Sequence, residues 1–261
     1  MLKFYKYEGA GNDFIMINNL GGIIELEPDY IARICDRHFG VGADGVILLE
    51  ESDKADCFMN YYNSDGTPAE MCGNGIRCTA KFFIEQTNSS LKELNIDTRA
   101  GIKKVIINND NTFSVDMGKA NFISDDFPNS SKEIEGFNFD FVSMGNPHAV
   151  TVVDNLDNID IKTTGPRIEN NSLFPRKINT EFVEKINDTF YKVKVWERGC
   201  GETLACGTGA CAVFSVLNKD KKINKEIMLE FLGGKLFLSK NEQGHVILRG
   251  PAKFVFKGEI Y

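Results

Sequence analysis

No stretch of the chain approaches the roughly 18 consecutive apolar residues that a membrane-spanning helix needs, so no such helix is expected. The N-terminus "MLKFYKYEGAGNDF" lacks the apolar core and the cleavage site of a signal peptide, which points to the cytoplasm. Positive charge is in short supply: 30 Lys and Arg stand against 37 Asp and Glu, a net of -7. A phosphate backbone is therefore a poor partner, because nucleic-acid binders concentrate basic residues. Close cysteine pairs of the C-x2-C kind are missing too. Seven cysteines are present, Cys35, Cys57, Cys72, Cys78, Cys200, Cys206 and Cys211, and in a reducing compartment an odd set of this sort is expected as thiols. No low-complexity linker divides the chain. With 42% apolar and 26% charged residues it has the balance of an ordinary folded protein.

What is present in excess is internal likeness. "EMCGNGIRC" at 70–78 returns as "LACGTGACA" at 204–212, and Cys72 and Cys206 are 206 - 72 = 134 positions apart. Gly11-Asn12 and Gly145-Asn146 share that offset, as do Asn63 and Glu197, each nine residues before its cysteine. A common offset near half the chain length indicates two similar halves. The expected boundaries are 1–117, completed by the C-terminal strand 250–261, and 118–249.

Each half reads mainly as strand. "GVILLEE", "DCFMNYYN", "KKVIINN" and "TFSVDM", then "FDFVSMG", "HAVTVV", "TEFVEKI", "TFYKVKVW" and "KLFLS", are short β-branched or aromatic runs bounded by Gly, Asn and Asp. Helices are few. "EPDYIARICDRHFG" places Ile31, Ile34, Cys35 and His38 at helical spacing, with Pro28 near its start and Gly40 past its end. Ile76, Ala80, Phe83 and Ile84 share one face after the first Cys-Gly-x-Gly, and "GACAVFSVL" after the second is apolar almost all round, so it is expected to be buried among strands. The fold class is α+β: two similar halves, each a strand-rich layer around a central helix whose first turn begins at a Cys-Gly-x-Gly.

Glycines at a helix start let a ligand approach the backbone, and the first N–H groups of the helix have no internal acceptor. Two such starts suit a carboxylate. A cysteine at each would flank the carbon that bears it, and the helix start is expected to lower the thiol pKa. A thiolate on one face and a thiol on the other form a base and an acid for moving a proton across that carbon, which is racemase or epimerase chemistry. The weakly acidic carbon also requires electrostatic stabilisation and exclusion of water.

Other readings compete. For zinc the spacings are poor, with five residues between Cys72 and Cys78 and between Cys200 and Cys206, and four between Cys206 and Cys211. A cysteine hydrolase with His148 as base leaves the second Cys-Gly-x-Gly unexplained. Free cysteine is often a small buried hydrophobe, which is the reading that suits Cys35, Cys57, Cys78 and Cys211; Cys200, in the turn "ERGCGE", stays open. "GAGNDF" lacks the strand, third glycine and helix of a dinucleotide fingerprint. His38 reads as a helix C-terminal residue and His245 as a turn-to-strand residue.

"GAGNDF", "NSDGTPAEMCGNGIRC", "MGNPHAV", "INTEF" and "ERGCGETLACGTGACA", in that order, closely resemble the diaminopimelate epimerases. The likeness extends through "VDMG" to the closing "GPAKFVFKGEI". It implies two pseudo-symmetric domains, each a strand-rich, barrel-like sheet around a central helix, with the active site in the cleft between them. It also implies a pyridoxal-phosphate-independent isomerase acting on a small amino acid, with no cofactor and no metal, no nucleic-acid or membrane partner, and a homodimeric assembly. By motif, Cys72 and Cys206 are the acid and base. Gly73, Asn74, Gly207 and Thr208 would hold the α-carboxylate. Asn12 and Glu197 would meet the amine region, Asn146 would also bind substrate, and His148 with Glu197 would position the reacting ends. Asn63, Asn179 and Arg198 match the residues for the distal amine and carboxylate; shaping the turn "NSDG" is the lesser alternative for Asn63. Gly45 departs from relatives that carry Gln there. A racemase of another amino acid such as histidine, and a non-catalytic amino-acid-binding protein, are the rival readings; keeping both cysteines weighs against the second.

Overall fold

In the computed structural model, which describes residues 1–128, 132–220, 223 and 225–261, the short β-branched and aromatic runs are strands. The chain divides into two units, Met1–Val115 with Gly250–Tyr261, and Asp116–Arg249.

The first unit starts with β1 (Leu2–Gly9) and β2 (Asn12–Asn18), an antiparallel pair joined by Ala10 and Gly11. Both linker residues have positive φ, as a two-residue hairpin turn requires. Helix α1 (Pro28–Cys35) leads to β3 (Gly45–Glu50), parallel to β2, and β4 (Cys57–Asn63) returns antiparallel. Helix α2 (Gly73–Thr87) carries the chain to β5 (Glu93–Asp97), parallel to β4, after which β6 (Lys103–Ile107) and β7 (Phe113–Asp116) alternate in direction. The C-terminal strand Lys253–Ile260 lies antiparallel on β1. The sheet order is C-terminal strand, then β1 to β7 in sequence. Ile31, Ile34 and Cys35 of α1 bury against Phe4, Ile15, Ile17, Val46 and Leu48. Against its expected length, α1 stops at Cys35: Asp36 is extended, and its carboxylate accepts from the N–H groups of His38 and Phe39. This local bonding competes with another helical turn.

In the second unit β8 (Glu133–Ile134) and β9 (Phe137–Asn138) form a small hairpin. Within the run "FDFVSMG", Asp140–Ser143 form β10, while Phe139, buried between β9 and β10, bonds through its N–H to Lys132 O. Then follow β11 (Pro147–Val153), α3 (Ile161–Glu169), β12 (Asn179–Lys185), β13 (Phe190–Glu197), β14 (Gly201–Glu202), α4 (Gly207–Leu217), β15 (Ile227–Phe231), β16 (Gly234–Lys240) and β17 (Val246–Gly250). The sheet order is β10, β11, β12, β13, β15, β16, β17.

The repeat is visible in the strand ladders. β2 and β3 pair in parallel with Phe14 opposite Gly45, and β11 and β12 pair in parallel with His148 opposite Asn179; both pairs differ by the same 134 residues. Each unit places one helix at the centre of its own strands. α2 packs against β1 to β6, and α4 against β10, β11, β12 and β16. Ile76, Ala80, Phe82 and Phe83 of α2, and Ala210 to Phe214 of α4, are buried accordingly. The architecture is therefore a strand-rich α+β fold of two units, each built around a central helix.

Candidate active site

Both cysteines of the repeat are helix N-caps. Cys72 and Cys206 are extended, and each Sγ accepts the N–H of the third residue on, Gly75 at 3.4 Å and Gly209 at 3.3 Å. Extended backbone at the cap followed by glycines turns the sulfur over the first helical turn, where unpaired N–H groups and the positive end of the helix favour negative charge.

Around Cys72 the first unit supplies polar groups from three elements. Asn74, fully buried, donates to Asn12 Oδ1 at 2.8 Å, and Asn12 donates to Asp44 Oδ2 at 2.6 Å. Arg77, one turn into α2 and fully buried, donates to Gly73 O at 2.8 Å, Asn74 Oδ1 at 2.9 Å and Pro251 O at 3.1 Å. Its guanidinium fixes the loop-to-helix turn that carries Gly73 and Asn74. Asn63 closes β4, with its amide donating to Thr67 Oγ1 at 3.1 Å and its N–H to Thr67 O at 2.9 Å, the turn-shaping arrangement. Gly45 has no room for a side chain: a Cβ there would meet Tyr62 O at 2.4 Å and the Tyr61 ring at 2.7 Å. The Gln of some relatives does not fit this backbone.

The second unit gathers Cys206, Thr208, Asn146, His148 and Glu197. Cys206 Sγ lies 3.4 Å from Thr208 Oγ1, whose oxygen accepts from Asn146 Nδ2 at 3.3 Å. Asn146 Oδ1 faces His148 Nε2 at 3.0 Å, and His148 Nδ1 faces Glu181 Oε1 at 2.7 Å. Thr203 donates to Glu197, whose carboxylate also takes a hydrogen bond from the Cys206 thiol. Burial raises the Glu197 carboxyl above its usual range, against those two hydrogen bonds. Asn179 is committed within the protein, donating to Pro147 O at 2.8 Å and accepting from Arg198 N at 2.9 Å, so it holds the backbone of Arg198, whose exposed guanidinium reaches Arg176 O at 3.1 Å.

One expectation is overturned at Cys206. Burial first, then the Glu197 carboxylate and, to the extent that His148 does not balance its charge, that of Glu181, hold this thiol well above its ordinary value, outweighing the donors from Thr208 and Gly209. A helix start favours a thiolate less where burial removes it from water, and Cys206 is only 5% exposed. Cys206 therefore rests as a thiol. The remaining assignments follow burial: Cys35, Cys57, Cys78 and Cys211 are core thiols and Cys200 is exposed in its turn. His38 lies in the turn beyond α1, and His245 precedes β17 with Nδ1 2.9 Å from Asp116.

Four residues of these two clusters are not singled out by the sequence: Asp44, and Arg77, Thr203 and Glu181, which lie inside the quoted motifs without a role of their own. Glu181 offers one signal, an acid inside "INTEF", where every residue of β12 from Asn179 to Val183 is buried.

The comparisons bear on this geometry. The diaminopimelate epimerase family model matches residues 4–123 and 141–255. A diaminopimelate epimerase of Methanococcus maripaludis strain C5 is 43% identical over 275 residues, covering 99% of both chains, and one of Carboxydothermus hydrogenoformans is 43% identical over 273 residues, covering 100% of both. Among solved structures, a PhzF-family phenazine biosynthesis protein of Bacillus anthracis superposes with a TM-score of 0.72 at 19% identity, covering 100% of this chain and 99% of that one. A hydroxyproline epimerase of Agrobacterium vitis gives 0.69 at 12%, covering 98% and 91%. These two show that the fold is shared. The chain belongs to the diaminopimelate epimerase family, a family of amino-acid epimerases.

Proposed function

We propose that the protein interconverts L,L- and meso-diaminopimelate by proton transfer at one α-carbon, with Cys72 and Cys206 as the two proton-carrying groups and no cofactor in any step. The observation that carries this reading is the pair of cysteine-capped helix starts, one of them with a carboxylate at its thiol. In one direction Cys72, as thiolate, takes the α-proton while Cys206 delivers its own from the other face; in the reverse direction the roles exchange. Burial of Cys206 suits the donor role. When Cys206 must serve as base, its proton passes to Glu197, whose raised pKa brings it closer to the neutral range at which an acceptor works best.

Backbone N–H groups at Gly73, Asn74, Gly207 and Thr208 are proposed for the α-carboxylate, with Asn12, Asn146 and Glu197 toward the amine and His148 orienting. Arg198, held through Asn179, would take the distal carboxylate in a two-pronged contact, and Asn63 is proposed for the same distal end of the substrate. A site that loses such partners discriminates strongly against a substrate lacking the distal group. The same proposal places the enzyme in the cytoplasm, in lysine and peptidoglycan precursor synthesis, and as a homodimer, which light scattering would check.

The test is an NMR time course in deuterated water with L,L-diaminopimelate, alongside L-histidine, L-glutamate and L-proline. Deuterium entering one α-carbon as the meso form accumulates is the expected result, and Cys72→Ala or Cys206→Ala should each abolish turnover. Exchange only in another amino acid would replace the substrate; exchange in none would favour a binding protein. Substantial turnover in either cysteine variant would remove the two-base scheme.

A further inference from the structure

We propose that Glu181 is a positioning residue that sets the acidity of the Cys206 thiol through a directed chain of hydrogen bonds. The inference rests on Cys206 being one of the two proton-carrying groups. Four contacts make up the chain: Glu181 Oε1 to His148 Nδ1 at 2.7 Å, His148 Nε2 to Asn146 Oδ1 at 3.0 Å, Asn146 Nδ2 to Thr208 Oγ1 at 3.3 Å, and Thr208 Oγ1 to Cys206 Sγ at 3.4 Å. Its direction follows from the atoms. An amide oxygen accepts only, so His148 Nε2 carries a hydrogen. The Asn146 amide nitrogen donates to Thr208 Oγ1, which leaves the threonine hydrogen for the sulfur. From His148 Nε2 onward, each donor thus points toward Cys206.

Glu181 holds the far end in place. It is fully buried, and its Oε2 has no hydrogen-bond partner among the described residues. An isolated anion in that position is costly. Sharing one proton between Oε1 and His148 Nδ1 makes the pair neutral wherever that proton sits, while Nε2 keeps its own. The imidazolium character this confers strengthens each donor down the chain. Unpaired, the Glu181 carboxylate would hold the thiol up as Glu197 does; with His148 at 2.7 Å that charge is balanced, and Glu197 is the carboxylate left facing the thiol. The arrangement belongs to the second unit alone. At the 134-residue offset, Ile47 stands for Glu181 and Phe14 for His148.

The test is the rate of iodoacetamide alkylation at Cys206 as a function of pH, resolved from the other cysteines by peptide fragment masses. The expected result is that Thr208→Val and Glu181→Gln slow it roughly three- to tenfold below the thiol pKa, the worth of a hydrogen bond, and move the rise to higher pH. Glu181→Asp and Thr208→Ser should return toward the native rate. Faster alkylation in Glu181→Gln would mean that the carboxylate acts as a bare negative charge on the thiol, and an unchanged rate would mean that no chain operates; either overturns the proposal. A measurement on the unaltered protein needs no variant to fold: the ¹⁵N shifts of His148 should show Nε2 protonated, and an unprotonated Nε2 reverses the chain and overturns the proposal as well. None of these readouts uses diaminopimelate, so a failed epimerase assay leaves this test standing.

Discussion

A single missing methyl group has different consequences at the two helix starts. Gly75 and Gly209 each donate an N–H to the cysteine three residues earlier. A Cβ on Gly75 would come within 3.0 Å of Met59 Cε and 3.1 Å of Ile47 Cδ1, the movable ends of two side chains. On Gly209 it would lie 2.6 Å from Glu181 Oε1, an atom tied to His148. Gly209→Ala should therefore lower stability by about 1–3 kcal/mol, as overpacking does, and reduce turnover at least tenfold by dislodging Glu181. Gly75→Ala should be close to neutral, since Ala gains up to about 1 kcal/mol over Gly in a helix. Parallel thermal melts decide it: equal losses would show that Glu181 does not set the difference. Cys72 and Cys206 are legible from sequence because Cys-Gly-x-Gly is a local signal. The acidity of Cys206 is not, because the carboxylates and the burial that govern it come from β12, β13 and the rest of the unit. Glu181 also stays hidden, since an acid in a buried strand has no periodic mark.

At the scale of elements, the strands are readable from β-branched and aromatic runs, while α3 carries no helical signal. "IKTTGPRIE" offers β-branched residues, a glycine and an internal proline, all unfavourable in a helix. Tertiary packing overrides that preference. A Cβ on Gly165 would lie 2.4 Å from the Trp196 ring, so the helix presents bare backbone to the indole. At the helix end Glu169 accepts from Trp196 Nε1 at 2.7 Å, Gly199 N at 3.0 Å and Lys177 Nζ at 3.1 Å, which braces the turn after β13 where Arg198 sits. Gly165→Ala tests this. Propensity alone predicts stabilisation by about 1 kcal/mol, whereas the clash with a ring fixed by Glu169 predicts a loss of about 1–3 kcal/mol. A melting temperature above that of the native protein would refute the packing account. α1 departs in the opposite sense, since its face continues in sequence but Asp36 captures the N–H groups beyond it.

At the scale of the whole molecule, the repeat is legible because one offset governs motifs and ladders alike. The alkaline behaviour of the chain is not, because it depends on how many thiols the fold hides. Burial pushes Cys35 and Cys57 up to about 12, and Cys78 and Cys206 are also raised, chiefly by burial. An unfolded thiol releases its proton near pH 8.5, roughly. Above that pH the unfolded chain binds fewer protons than the folded one, so stability falls as pH rises. The contribution is complete below the unfolded value and lost as pH climbs toward the folded one, at about 1.4 kcal/mol per pH unit for each such thiol. Tyr7, raised by burial and by Glu85, adds to the loss above about pH 10. The melting temperature under reducing conditions should accordingly drop steeply from about pH 8.5 to about pH 10.5 and recover when the pH is returned. Cys57→Ala isolates the cause. Its cavity lowers the melting temperature at every pH, but with one buried thiol fewer its decline with pH should be shallower than that of the native protein. Parallel declines would assign alkaline unfolding to some other group.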